Sequence, residues 1–582
     1  MKAMTSVNIG SGPPAAGSTL SATCGRLDDL AVGAMQLAKV DGRHILLVRT
    51  STGVHALDNA CPHQGYGLTT GTLTLTENAD GTAGGDALVT CLWHNWKFRT
   101  SDGACVLGEE NVAAHTVRIE DGEIIVDVHV PDPAAQRATL WPSLRAGIER
   151  DFRGQIARDT TRLLANGATA SEVIAAAVLI GAAKADYGIG HETAMATDCL
   201  TLANSRDGTD RVLPLVQALT GISETTRDRD ARLVPAPRPD LDIADAIAAE
   251  DVDGAMAAVA GALEAGTSPG AIRSRFIHGA SSHHYDYGHG AIYTQKAFEL
   301  LDHIGWAHAI GVLPHLAAAL AWGTREDTLP YMRKAQRTIA AADLVAMAAA
   351  TDRSTTGWQP GALVTALLDD QDAPMAECVS AVIVGAGVEG LLDAVSLAAS
   401  HRLLRHNLDV EFDHAEGFGW LDITHALTYS NAARWAWRID PGPHTARLAL
   451  YAAWLAHDSG RSERRHGGYT TPTWQPALAD IRQAVRRLDS DVAVAAALAG
   501  TVVDVHDQLT RAAFDDRSGA FIVVAHLVKT AHAAADEARV TGSMLPLAAA
   551  ARFIAAPRME RFVAATVAES INFVETGRPP RR

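Results

Sequence analysis

The chain has 582 residues and a formal charge of −17, from 50 Lys and Arg against 67 Asp and Glu. That length is too great for one domain, and the acidic balance argues against nucleic acid as a partner. Only 5% of residues are aromatic while alanine, the strongest helix former, is abundant, so most of the chain is expected to be helical.

In chain order, residues 1–18 are rich in Gly, Ser, Pro and Ala and are read as a flexible N-terminus without the apolar centre of a signal peptide. Residues 19–131 carry short apolar runs bounded by Gly, Asp and Asn, such as His44 to Arg49, Ala87 to Thr90 and Glu123 to Val128, and are expected to form a small all-β domain. Pro131-Asp132-Pro133 reads as a linker. From 136 to 582, long Ala-rich stretches with spaced Leu, Ile and Val predict a large all-α domain. The expected fold is therefore multidomain. No uninterrupted run of 18 or more apolar residues is evident, so no membrane span is expected.

Two strings in the β part carry chemistry. Cys61-Pro62-His63-Gln64-Gly65 is followed, with 27 residues between His63 and Cys91, by Cys91-Leu92-Trp93-His94. Two thiolates and two imidazoles can hold a 2Fe–2S cluster with cysteines on one iron and histidines on the other. A structural zinc site is the alternative for such a set, but zinc fingers do not use Cys-x-His in their first half. With Trp96, Phe98 and Asp102-Gly103 following, the region resembles a Rieske domain; Asn95 stands where Gly is usual. The resemblance implies a 2Fe–2S cofactor on Cys61, His63, Cys91 and His94. Respiratory-chain members carry a disulfide between the two loops, and the corresponding positions here are Tyr66 and Trp93. The likeness is thus to the ferredoxin and oxygenase type. The other cysteines form no disulfide framework, which suits a reducing cytoplasm.

The helical part holds most of the 24 histidines. His278, Asp286 and His289 repeat the spacing of His414, Asp422 and His425, with copies starting 136 residues apart. On a helix the three positions fall at about 0°, 80° and 20°, on one face. Histidines and carboxylates aligned on facing helices build dinuclear iron sites. His191, in a degraded copy, and His526 and His532, in an apolar stretch, complete an internal pseudo-repeat whose histidines are expected to converge. The duplicated set is also compatible with buried, hydrogen-bonded structural pairs. Tyr285, Asp286 and Asp422 are candidate catalytic residues, and Tyr285, Tyr287, Trp420 and Tyr429 are candidate pocket residues. The helical part is faintly similar to questin-oxidase-like enzymes, with no residues carried over.

The expectation is an oxidoreductase: a Rieske-fused non-heme iron oxygenase, with two irons in the helical site, that uses O2 to oxidise a small molecule. No Gly-x-Gly-x-x-Gly fingerprint follows a strand, so electrons are expected from a separate NAD(P)H-dependent reductase or ferredoxin. The alternatives are a mononuclear-iron oxygenase, or an electron carrier or redox sensor with a non-catalytic helical binding module. Oligomerisation is open, with a homo-oligomer among the options.

Overall fold

The computed structural model describes residues 18–77, 83–130, 132–350, 357–369, 374–412, 419–465, 470–559 and 563–577. The chain divides into two compact units. The first comprises residues up to Gly147 together with Phe152–Ala168; the second comprises Ile148–Asp151 and the chain from Thr169 onward.

Unit one is built on ten strands. β1 (Thr19–Arg26), β2 (Met35–Val40), β3 (Arg43–Arg49), β4 (Val54–Asp58), β9 (Ala114–Glu120) and β10 (Glu123–His129) form a six-stranded sheet in the order β1-β10-β9-β4-β3-β2. β5 (Thr72–Glu77), β6 (Ala83–Thr90), β7 (Lys97–Arg99) and β8 (Cys105–Leu107) form a second sheet of four, paired in sequence order. β3 explains how two cores coexist. Its residues Ile45 to Val48 are all buried, and successive side chains of a strand face opposite ways. Ile45 and Leu47 enter a core with Ile124, Val126 and Val128 of β10. Leu46 and Val48 enter another with Val89, Phe98, Cys61 and Cys91. The second core is the apolar floor beneath the two cysteine-bearing loops.

Two helices, Pro133–Glu149 and Arg153–Ala165, follow the strands. Most of the first and all of the second cluster with unit one, so this unit runs to Ala168 rather than stopping near the Pro131–Pro133 segment. Ser143 donates to the buried Asp159 carboxylate at 2.7 Å, and the Gln155 amide donates to the Ser143 carbonyl at 2.8 Å, which ties the two helices together.

Unit two is helical throughout its regular elements. Met375–Leu404 is the one described helix long and apolar enough to cross a membrane, and 67% of its apolar window is buried within the protein. A buried core helix of this kind needs no polar outer face. The helix is not an uninterrupted apolar run, since Glu377, Glu389, Asp393 and Arg402 fall within it.

Candidate functional site

In unit one, the segments after β4 and β6 are matching turns. The amide of Cys61 donates to the Tyr66 carbonyl at 2.8 Å, and the amide of Gly65 donates back to the Cys61 carbonyl at 2.8 Å. The second loop repeats this between Cys91 and Trp96 at 2.8 Å, and between Asn95 and Cys91 at 3.2 Å. Gly65 sits at φ +79° and Asn95 at φ +60°. Both are left-handed, and Asn is among the few non-glycine residues that adopt this region readily. That explains why Asn95 serves where Gly is usual. The rings of Tyr66 and Trp93 stack at 4.7 Å, bridging the loop tips where a disulfide is expected in other members.

The four candidate ligands meet. Cys61 and Cys91 are free and buried, and the rings of His63 and His94 lie 4.1 Å apart. Trp96 stacks on His63 at 5.0 Å. Burial pushes the Cys61 thiol up to about 11, with the Cys91 sulfur adding to the effect. The buried Nδ1 of His63 has no hydrogen-bond partner. A buried, unpaired imidazole nitrogen is costly unless something binds it. Two neighbouring thiols and two adjacent imidazoles, one with an unpaired buried nitrogen, are the donor set that a Rieske 2Fe–2S cluster takes.

The Rieske [2Fe-2S] domain family matches residues 22–118. Residues 22–118 are a Rieske domain. The ferredoxin component of the alkene monooxygenase system of Xanthobacter autotrophicus (strain ATCC BAA-1158 / Py2) is 29% identical over 102 residues, covering 17% of this chain and 75% of the relative. Among solved structures, the ferredoxin of carbazole 1,9a-dioxygenase from Nocardioides aromaticivorans IC177 aligns with 26% identity over 18% of this chain and 96% of its own, at a TM-score of 0.16. The E. coli protein NirD aligns with 22% identity over 19% of this chain and 98% of its own, at a TM-score of 0.17. The Rieske domain supports a 2Fe–2S cluster and an electron-transfer role. The matched residues end before the helical unit begins.

In unit two, four histidines from four helices converge. His191 and His289 are the first residues of helices His191–Asn204 and His289–Ile304; His425 lies in Trp420–Ile439 and His526 in Phe521–Thr541. His425 Nε2 lies 2.8 Å from His289 Nε2 and 3.3 Å from His526 Nε2, and His289 Nε2 lies 3.2 Å from His191 Nε2. Ligand atoms of His191, His289 and His425 all fall within 4.8 Å of one another. An ion bound at about 2.1 Å sets neighbouring imidazole nitrogens a little over 3 Å apart, close to this spacing.

Three of the four outer nitrogens have partners. His526 Nδ1 donates to the Ile522 carbonyl at 2.6 Å. The Asp286 carbonyl holds His289 in the same way. His191 Nδ1 lies 2.9 Å from the Tyr293 hydroxyl. His425 feels the Leu421 carbonyl one turn back, although its Nδ1 makes no hydrogen bond of ordinary geometry. A proton kept on Nδ1 leaves the Nε2 lone pair facing inward, the tautomer a metal requires. Burial holds all four imidazoles well below their usual range, and the nearby Lys529 charge adds to this. They are therefore neutral at pH 7. Lys529 Nζ lies 3.2 Å from His425 Nε2, and burial pushes Lys529 down to about 7.

Buried polar pairs brace the four helices. Lys296 joins Asp198 at 2.9 Å, Gln295 donates to Asn431 at 3.1 Å, and Arg434 joins Glu537 at 2.9 Å. Each pair ties two of the four histidine-bearing helices. Immediately before His289, Asp286, Tyr287 and Gly288 have φ of +40°, +54° and +91°. Three successive left-handed residues, one of them a tyrosine, are costly and persist only where the surroundings fix them. Gly288 packs where a Cβ would lie 2.3 Å from the Tyr429 ring.

The structure separates the other expected residues from this group. Helix Pro269–Ser281 ends before Asp286, so His278, Asp286 and His289 do not share one helical face. This corrects the single-helix reading; the left-handed turn supplies the break. His278 stacks on His444 at 5.1 Å. The Asp286 carboxylate accepts from the Thr324 amide at 3.0 Å, and that of Asp422 accepts from the Gly419 amide at 2.9 Å. His532 meets His506 with ring centroids 4.7 Å apart. His414 lies outside the described residues. Tyr285 is buried, its hydroxyl 3.2 Å from that of Ser282. Trp420 packs on His406 and Phe553. Tyr429 stacks on His284 at 5.5 Å, while Tyr287 has its ring 5.9 Å from that of His425.

A cleft of about 690 Å³ reaches His191 and Tyr293, with Tyr187, Asp286, Trp322 and Phe521 among its walls. Sequence reasoning missed Tyr293 and Lys529. Both were accessible: Tyr293 is four residues after His289 and Lys529 three after His526, spacings that place them on the ligand face.

Proposed function

We propose that this protein is an oxidoreductase in which the Rieske domain supplies single electrons to one iron ion held by His191, His289, His425 and His526. That ion would activate O2 toward a small molecule bound in the cleft beside His191. The observation carrying this reading is the convergence of four Nε2 atoms from helices far apart in sequence, with the outer nitrogens of His191 and His526 held by hydrogen bonds. Imidazole suits several transition metals; pairing with a one-electron donor favours a redox-active one.

The residues divide the work. The four imidazoles bind and orient the ion. Tyr293 holds the His191 ring in place through its outer nitrogen and forms part of the cleft wall. The apolar surroundings exclude water, and Tyr187, Trp322 and Phe521 offer aromatic surface to a substrate. Electrons entering the Rieske domain are proposed to come from a separate reductase or ferredoxin.

One ion is favoured over two because no carboxylate joins the four imidazoles among the described residues. Dinuclear iron sites in helical proteins are built from bridging and terminal carboxylates, and Asp286 and Asp422 spend theirs on backbone amides. The test is the number of irons per chain in anaerobically purified protein. The proposal expects about three: two in the cluster and one in the helical unit. About four supports the dinuclear form, and about two reduces the chain to an electron carrier or sensor. Zinc in the helical unit would remove the redox role.

A further inference from the structure

Helix Arg153–Ala165 lies beyond the residues matched to the Rieske family, yet it belongs to the same compact unit. Ile156 and Leu163 are fully buried on one side of it. Its other side presents Gly154, Gln155 and Arg158 to a cavity of about 480 Å³ that is also lined by His63, His94, Trp96 and Phe152. The helix therefore roofs the histidine edge of the cluster site.

Arg158 Nη1 donates to the backbone carbonyl of His63. The Arg158 side chain is only 21% exposed. Its nearest carboxylate is Glu110, 3.8 Å away, and Glu110 is also bound by Arg162. Arg162 also lies 3.6 Å from Asp159, and Glu109 lines the same cavity, so Arg158 is not an isolated charge; it is the cation that touches the loop carrying Cys61 and His63, through the His63 carbonyl. In a partly buried setting this charge is weakly screened.

We propose that Arg158 is a positioning residue that raises the reduction potential of the Rieske cluster, making the helix after the β-unit part of the electron-transfer device. Gaining an electron makes the cluster more negative by one charge. A fixed cation nearby stabilises that state over the oxidised one, so the cluster is reduced more easily. Glu110 acts with the opposite sign.

The test is a potentiometric titration of the full-length protein followed by EPR and visible circular dichroism of the cluster. Arg158→Gln is expected to lower the potential, Arg158→Lys to keep it near the starting value, and Glu110→Gln to raise it. A purely structural role predicts no such opposite pair. An unchanged or raised potential in Arg158→Gln with the cluster loaded overturns the proposal. If Arg158→Gln does not load a cluster, Glu110→Gln decides: an upward shift upholds the assignment, and no shift or a downward one overturns it.

Discussion

His425 Nε2 lies 2.8 Å from His289 Nε2, although 136 residues separate them. That interval is also the offset between the two His-Asp-His copies, so the closing histidine of each copy meets its counterpart. His289→Ala and His425→Ala are each expected to lose the helical metal, leaving about two irons per chain. The visible and EPR spectra of the cluster should persist. Metal analysis beside cluster spectroscopy checks this; retention of the third iron in both variants counts against the pair as ligands.

Tyr293 fixes the outer nitrogen of His191 at 2.9 Å and stacks on His289 at 5.0 Å. Tyr293→Phe keeps the ring and removes the hydroxyl. Loss of such an outer partner typically weakens metal affinity about 10–100-fold. Competition with a chelator measures the change.

Asn95 stands at φ +60° in the second cluster loop. Asn95→Gly is expected to leave stability within about 0.5 kcal/mol, since glycine adopts this conformation freely. Asn95→Ala should cost about 1 kcal/mol or more. Thermal loss of cluster absorbance ranks the two; equal values would show that the backbone angle is not what selects asparagine.

The cluster site was legible because its four candidate ligands sit in two short loops, where spacing alone brings them together. The histidine centre was legible in part. His191, His289, His425 and His526 were among the expected ligands, but His278, Asp286, Asp422 and His532 were expected beside them. Spacing on an ideal helix gave the face, and the left-handed turn at Asp286 to Gly288 breaks that helix. Asp422 looked like a ligand because a carboxylate at helix position three also serves as a cap, and sequence does not separate the two uses. The bracing pairs, such as Arg434 with Glu537, join residues about a hundred positions apart and carry no local signal.

Three buried imidazoles outside the four-histidine group set an acid limit. Burial lowers His315 to about 4, and His506 and His532 to about 3. An unfolded histidine titrates near 6.5. The folded state favours the neutral form, so the stability is present in full above about pH 6.5 and is lost as pH falls toward the folded values. Each contributes a slope approaching about 1.4 kcal/mol per pH unit within that window. Denaturant midpoints of metal-free protein between pH 7 and pH 4 should therefore drop steeply, and His315→Gln should flatten the drop. An unaltered slope in that variant contradicts the assignment for His315.

The helical unit is proposed to hold a redox metal that the Rieske domain can supply with electrons. The most direct measurement is rapid-freeze Mössbauer spectroscopy on 57Fe-loaded, anaerobically reduced protein before and after mixing with O2. One iron environment beyond the two of the cluster is expected, at about one iron per chain, changed by O2 and missing from His425→Ala. A spectrum containing cluster iron alone, in protein shown to be fully loaded, would contradict it.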